Sequence, residues 1–144
     1  MQLDPNNPVV RLCIDGMACE QKGDLAKARA LFEQAWAESA DAFDACVAAH
    51  YVARRQDTPT DVLHWNQVAL EKANEADAEA VRGFFASLYL NLGKSHEDLG
   101  NMTEAGDFYR LAQAAIDVLP EGGYGEMVTD GVTRGLERVG QSKA

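Results

Sequence analysis

Histidine and carboxylate side chains can bind metal ions or transfer protons, but their spacing in this chain forms no catalytic motif. The three histidines are His50, His64 and His96. Glu97 follows His96, yet the second histidine that a His-Glu-x-x-His zinc motif requires one helical turn later is missing. Acidic pairs are frequent in so acidic a chain and arise by chance. We therefore predict no catalytic residue and no bound metal.

The glycine-rich and cysteine-containing segments also lack the context of a functional site. Residues 122–125 read Gly-Gly-Tyr-Gly, but no predicted strand precedes them, as a nucleotide-binding loop would need. Cys13, Cys19 and Cys46 form no Cys-x-x-Cys pair, so neither a zinc knuckle nor a disulfide framework is indicated. We predict no cofactor, and we expect Cys13 and Cys19 to be small apolar core or groove residues.

Charge and hydropathy exclude several classes of partner. The net charge of −10 and the pI near 4.6 disfavour binding to a phosphate backbone, so no nucleic-acid partner is predicted. No apolar run approaches the roughly 18 residues of a membrane span. The first residues, MQLDPNNP, include an acid and no basic segment, so no secretory signal is expected. These features, with the unpaired cysteines, predict a cytoplasmic protein.

The elements that position these residues are predicted to be helices throughout. Apolar residues recur at helical spacing on both sides of Gly100, which supplies an inexpensive C-cap. Small residues at Gly93 and Ala105 would let two helices approach closely. The stretch from Leu88 to Leu119 therefore predicts a tightly packed helical hairpin.

The same frame occurs earlier in the chain, which indicates an internal repeat. The positions Leu12, Gly16, Cys19, Gly23, Ala28, Phe32 and Ala35 have the spacing of Tyr89, Gly93, His96, Gly100, Ala105, Tyr109 and Ala112. A more divergent middle hairpin turns at 57–60, where Thr58 or Thr60 can cap the second helix. The pattern of a large residue, Leu-Gly, an aromatic, a Gly turn, Ala and an aromatic resembles the tetratricopeptide repeat (TPR). More narrowly, the chain resembles a small bacterial-type TPR domain with one lengthened repeat.

The resemblance implies an all-α fold, a right-handed α-solenoid of three TPR-like hairpins plus a C-terminal capping helix. We expect a single domain over residues 1–144, with repeats at about 9–42, 43–76 and 77–119 and the capping helix at about 125–139. The lengthened third repeat predicts one long helix from about Asp77 to Leu99. Gly131 and Gly135 should weaken the capping helix, by roughly 1 kcal/mol each relative to alanine.

In this family the first helix of each hairpin lines a groove that binds extended peptides or helices, so the resemblance implies a non-catalytic adaptor or scaffold. Carried onto this chain, the groove positions are Met17, Tyr51, Arg54, Arg55, Leu90, Asn91 and Lys94, with Cys13, Glu20, Val47, Ser87 and Glu97 beside them. Tyr51 and Arg54 are expected outside the core, and Arg54, Arg55 and Lys94 are expected to converge on one local positive site. Cys13 and Met17 replace polar residues of the family's chaperone-binding clamp, which argues against a chaperone-tail receptor.

Two other functions fit the same residues. The chain could be a ligand-responsive regulator that binds a small peptide or anion near Arg54 and Lys94. It could instead be a homodimerising structural module, with Trp65 on the convex side as a dimer contact. Against both, cations near a helix C-terminus are favoured by the helix dipole, Lys94 can pair with Glu97 or Asp98, and Trp65 fits a core position better.

Overall fold

The computed structural model describes residues 3–119 and 122–142. Its α-helices are α1 (Pro8–Gln21), α2 (Leu25–Ala37), α3 (Ala42–Ala53), α4 (Pro59–Glu75), α5 (Ala78–Val81), α6 (Phe85–Asp98), α7 (Met102–Ala115) and α8 (Gly123–Ser142). Two 3₁₀ turns lie at Arg82–Phe84 and Ile116–Val118, and the described ranges contain no strand. The predicted all-α class and the packing of helical hairpins are confirmed.

The chain divides into two compact units, one up to Ala80 and one from Val81. The N-terminal unit contains the α1–α2 and α3–α4 hairpins, and the C-terminal unit contains the α6–α7 hairpin and α8. The single domain and its repeat limits stay predictions.

In the N-terminal unit, side-chain caps define where the helices begin. Asn7 Oδ1 accepts hydrogen bonds from the backbone N–H groups that open α1. Asp24 caps α2, as Lys27 N donates to its Oδ1 at 3.2 Å. Thr58, rather than Thr60, caps α4 and accepts from Asp61 N at 3.1 Å. These oxygens satisfy N–H groups that lack a partner within the helix.

One glycine–aromatic contact recurs in the two hairpins that carry the repeat frame. A Cβ built on Gly16 would lie 2.3 Å from the Phe32 ring, and one built on Gly93 would lie 2.6 Å from the Tyr109 ring. Both rings are fully buried. The turn glycines match as well, since Gly23 and Gly100 have φ of 81° and 82°. The register read from the sequence is therefore present in three dimensions.

The prediction of one long helix from Asp77 to Leu99 is wrong. α5 ends at Val81, a 3₁₀ turn covers Arg82–Phe84, and α6 starts at Phe85. Residues three apart eclipse in a 3₁₀ turn, so Val81 and Phe84 lie on the same side, and both are buried. Gly83 also lowers the helix propensity at this point.

Helix α8 packs on both helices of the α6–α7 hairpin and extends beyond both of its predicted ends. Its buried hydrophobic residues are Val128, Val132 and Val139. The two glycines predicted to weaken it are where it comes close to its neighbours. A Cβ on Gly131 would lie 3.1 Å from Leu90, and one on Gly135 would lie 2.5 Å from the Tyr109 ring.

Candidate binding surface

Two predicted groove residues of the N-terminal unit, Arg54 and Arg55, contact the carboxylate of Glu20 in the last turn of α1. Arg54 Nη2 lies 3.0 Å from Glu20 Oε1, and Arg55 Nε lies 3.0 Å from Glu20 Oε2. The Glu20 side chain is only 10% exposed, whereas those of Arg54 and Arg55 are 45% and 29% exposed. Arg55 Nε and Glu20 Oε2 are both buried, and neither makes a hydrogen bond, so their contact is an ion pair without hydrogen-bond alignment. Two cations thus share one nearly buried anion.

Tyr51 does not lie outside the core, so that part of the prediction is wrong. The residue is 6% exposed, and its ring stacks on Phe32 with the centroids 5.4 Å apart. The guanidinium of Arg54 lies 5.7 Å from the Tyr51 ring centroid, within cation–π range. The Tyr51 ring therefore stabilises the position of the Arg54 guanidinium that lies over it. The packing of α3 on α2 buries the ring.

Met17 is half-buried, whereas Cys13 and Val47 are core residues. Burial raises the pKa of the Cys13 thiol to about 12, and it does the same for Cys46. Both thiols therefore stay protonated at neutral pH and are poor nucleophiles. The Cys13 position confirms its predicted core placement.

The three histidines occupy different environments. Burial, with a smaller contribution from the charge of Arg54, lowers the pKa of His50 to about 4, so its imidazole is neutral at pH 7. His64 is exposed beside Trp65, with the ring centroids 5.6 Å apart. His96 stacks almost parallel on Phe108 at 5.4 Å, and its Nδ1 lies 3.3 Å from Asn101 Nδ2. The His96 ring is therefore packed and hydrogen-bonded.

The predicted groove residues of the C-terminal unit have three different roles. Leu90 packs against Gly131 and two hydrophobic clusters, so much of its surface is covered by α8. Asn91 is half-buried in the same helix. Lys94 is exposed and pairs with Asp98 at 2.7 Å. Since Lys94 lies in a different unit from Arg54 and Arg55, the convergence of these three cations stays a prediction.

A polar network that the sequence did not reveal joins α6, α7 and α8. Arg138 donates from Nε to Glu97 Oε2 at 2.7 Å and from Nη2 to Glu97 Oε1 at 3.1 Å. The hydroxyl of Tyr109 donates to Glu97 Oε1 at 2.6 Å. The hydrogen bond from Arg138 is the main cause of the lowered pKa of Glu97, while burial is the main cause of the raised pKa of Tyr109. The repeat frame contained one signal for this network, because Glu97 follows Gly93 at the distance at which Glu20 follows Gly16.

The described residues include no group of three or more His, Cys, Asp or Glu side chains arranged to hold a metal ion. None of the described helices is long and apolar enough to span a membrane.

Comparison with protein families matches residues 86–115 to the tetratricopeptide repeat, which corresponds to most of α6 and all of α7. Comparisons with curated proteins and with solved structures gave no match. The matched segment contains the Gly93–Tyr109 contact and the Gly100 turn described above. Such repeats are typical of proteins that interact with other proteins. Residues 86–115 are therefore similar to a tetratricopeptide repeat, and the helical hairpins of the described residues fit a protein that contains such repeats.

Proposed function

We propose that this protein is a non-catalytic, cytoplasmic adaptor that binds a protein or peptide partner through the surface of its first helices, α1, α3 and α6. The tetratricopeptide repeat at residues 86–115 carries the proposal. In the N-terminal unit, the surface would include Met17, Arg54 and Arg55, with Tyr51 supporting Arg54. In the C-terminal unit it would include Asn91, Lys94 and the accessible part of Leu90.

Affinity purification with variants of the exposed cations tests this proposal. Arg54→Glu and Lys94→Glu reverse charge on the first helices, and Arg110→Glu is the control because Arg110 is a 54% exposed residue of the second helix α7 that also pairs with a neighbouring acid. We expect each first-helix variant to lose partners that the wild type and the control retain. Identical partner lists for all four proteins would refute the use of this surface. Tyr51→Ala is unsuitable as a probe, because truncating a buried aromatic costs about 3–5 kcal/mol of stability.

The ligand-responsive alternative is favoured by one observation, the two arginines that share the Glu20 carboxylate. Under this alternative, a small anionic peptide would raise the melting temperature of the purified protein, as any ligand that binds only the folded state does. An unchanged melting temperature at saturating peptide would argue against it.

The homodimer alternative has no comparable support. Trp65 packs edge-on against Trp36 within the N-terminal unit, with the ring centroids 5.1 Å apart. Trp65 is half-buried, which is closer to the core placement that the sequence favoured than to an exposed dimer contact. A mass measurement in solution would detect a dimer directly.

A further inference from the structure

The solvent side of α7 has an apolar stripe, which consists of Phe108, Leu111, Ala115 and Val118. Leu111 and Val118 are 46% and 39% exposed, and the other two residues are half-buried. The four residues follow one another at intervals of three or four, so they lie on one side of α7 and of the 3₁₀ turn that continues it. A single exposed leucine is ordinary, whereas a contiguous apolar surface indicates an interaction site.

The repeat frame does not require the α7 stripe. The spacing that relates Gly16 to Gly93 also relates the stripe to four positions of the first hairpin. These are Leu31, Gln34, Glu38 and Asp41. The last three are polar and exposed, yet this hairpin forms the same glycine–aromatic contact as the α6–α7 hairpin. Packing within the hairpin therefore does not explain why Leu111 and Val118 are apolar.

The α7 stripe is flanked by negative charges. Glu104, one helical turn before Phe108, and Asp117, next to Val118, are exposed and form no ion pair with any residue of the described ranges. Arg110 is the only basic residue of segment 102–118, and it pairs with Asp107 at 2.6 Å. The helix dipole favours Glu104 in the first turn of α7 but disfavours an acid such as Asp117 beyond its C-terminal end. The stripe thus combines apolar surface with uncompensated negative charge.

We infer that the α7 stripe is a second interaction surface, which binds an amphipathic helix of a partner that has basic residues beside its apolar face. Apolar side chains of such a helix would cover Leu111 and Val118, and its lysine or arginine side chains would pair with Glu104 and Asp117. A second copy of this chain does not fit, because two α7 stripes in contact would bring like charges together. This surface goes beyond the proposed function, which uses the first helices, since α7 is the second helix of its hairpin.

Fluorescence polarisation with the full chain at 0.15 M salt tests the inference. The probe is an end-capped, labelled 15-residue peptide of leucine, alanine and lysine, with all of its leucines on one helical face. One control peptide has glutamate in place of lysine, and the other has the composition of the probe with its leucines spread around the helix. Only the probe should bind in a saturable manner, and its affinity should fall as salt is added, because salt screens exposed charges.

Variants of the full chain locate the binding site. Leu111→Gln introduces the residue type that the first hairpin has at this position, so the fold should be retained, and it should weaken probe binding about fivefold. Met127→Gln is the matched control, because Met127 is a 63% exposed residue of α8 outside the stripe, and it should leave the affinity unchanged. Asp117→Asn should weaken binding about two- to fivefold and reduce its salt dependence. Val118→Ser gives the same test as Leu111→Gln if that variant does not fold.

Equal affinity for all three peptides would overturn the inference, and so would unchanged probe affinity in Leu111→Gln. A dimer that Leu111→Gln dissociates in sedimentation experiments would assign the stripe to a second copy of the chain instead. Arg54→Glu and Lys94→Glu change only the first helices and should not weaken probe binding, so a loss of the probe in these variants would also reject the stripe. If these variants lose cellular partners while the probe does not bind to the wild type, the stripe fails and the proposed function stands.

Discussion

Replacing Gly93 with alanine should destabilise the protein, although alanine is normally the better helix former. The added Cβ would lie 2.6 Å from the Tyr109 ring, closer than real Cβ contacts. The ring cannot retreat, because a Cβ on Gly135 would lie 2.5 Å from it and Glu97 holds its hydroxyl at 2.6 Å. Tyr109 is also fully buried. The ring is thus confined by α6, α8 and its own hydrogen bond.

The expected magnitude is the difference between two opposing effects. Overpacking a core costs about 1–3 kcal/mol, and replacing glycine with alanine within a helix recovers at most about 1 kcal/mol. Because a 2.6 Å approach is closer than real Cβ contacts, we take the upper part of the overpacking range, about 2–3 kcal/mol, and expect Gly93→Ala to lower the free energy of unfolding by about 1–2 kcal/mol. At about 3 °C per kcal/mol for a chain of this size, the melting temperature should fall by about 3–6 °C. Gly93→Leu should be more severe.

Urea and thermal denaturation followed by circular dichroism would measure these changes. Gly140→Ala is the matched control, since it lies in α8 with no atom within 4 Å of its Cβ, and its stability should be unchanged or slightly raised. In a Tyr109→Leu background the additional cost of Gly93→Ala should shrink, because the smaller side chain leaves room. A Gly93→Ala protein as stable as the wild type would refute the close packing of α6 on Tyr109.

Three further predictions concern polar groups. Glu97→Gln should lower stability by roughly 1–3 kcal/mol and speed hydrogen exchange in α8, because Arg138 loses its charged partner. Since Arg138 lowers the pKa of Glu97, the stability that Glu97 contributes to the wild type should be complete above pH 4.5 and should decline at more acid pH as Glu97 is protonated. A stability that stays flat over the acid range would contradict this. The free energy of unfolding should fall by about 3 kcal/mol between pH 6.5 and about pH 4 through His50, because its pKa is depressed in the folded state and the unfolded chain binds the proton first. A His50→Gln variant whose stability has the same pH profile as the wild type would exclude this. Asp44→Ala should lower the urea midpoint by an amount equivalent to about 1–3 kcal/mol, since buried Asp44 accepts from Asn7 Nδ2 at 2.9 Å and from a backbone N–H at 3.1 Å, and an unchanged midpoint would show that this link contributes nothing.

The sequence by itself determined the local repeat. Gly16 and Gly93 keep the same spacing to the aromatic residues that they accommodate, and the turn glycines at 23 and 100 keep the same spacing to them. Each glycine–aromatic contact forms between adjacent helices of one hairpin. Only a residue without a side chain fits under a ring at positions 16 and 93, and the positive φ at 23 and 100 favours glycine. Such short-range requirements can be read from spacing. Arg54 and Arg55 lie at the C-terminal end of the first helix α3, near the helix end at which the sequence placed them.

Only the tertiary structure decided which side chains meet across helices that are distant in sequence. Arg138 is 41 residues from Glu97, and no local pattern selects it from the other arginines. Tyrosine is a residue type that is common at protein interfaces, yet Tyr51 is buried against the Phe32 ring. The break between α5 and α6 likewise follows from the burial of Val81 and Phe84, which overrides the helical pattern around them. Burial and ion pairing depend on the element that covers a position, and a single helix's periodicity does not contain that information.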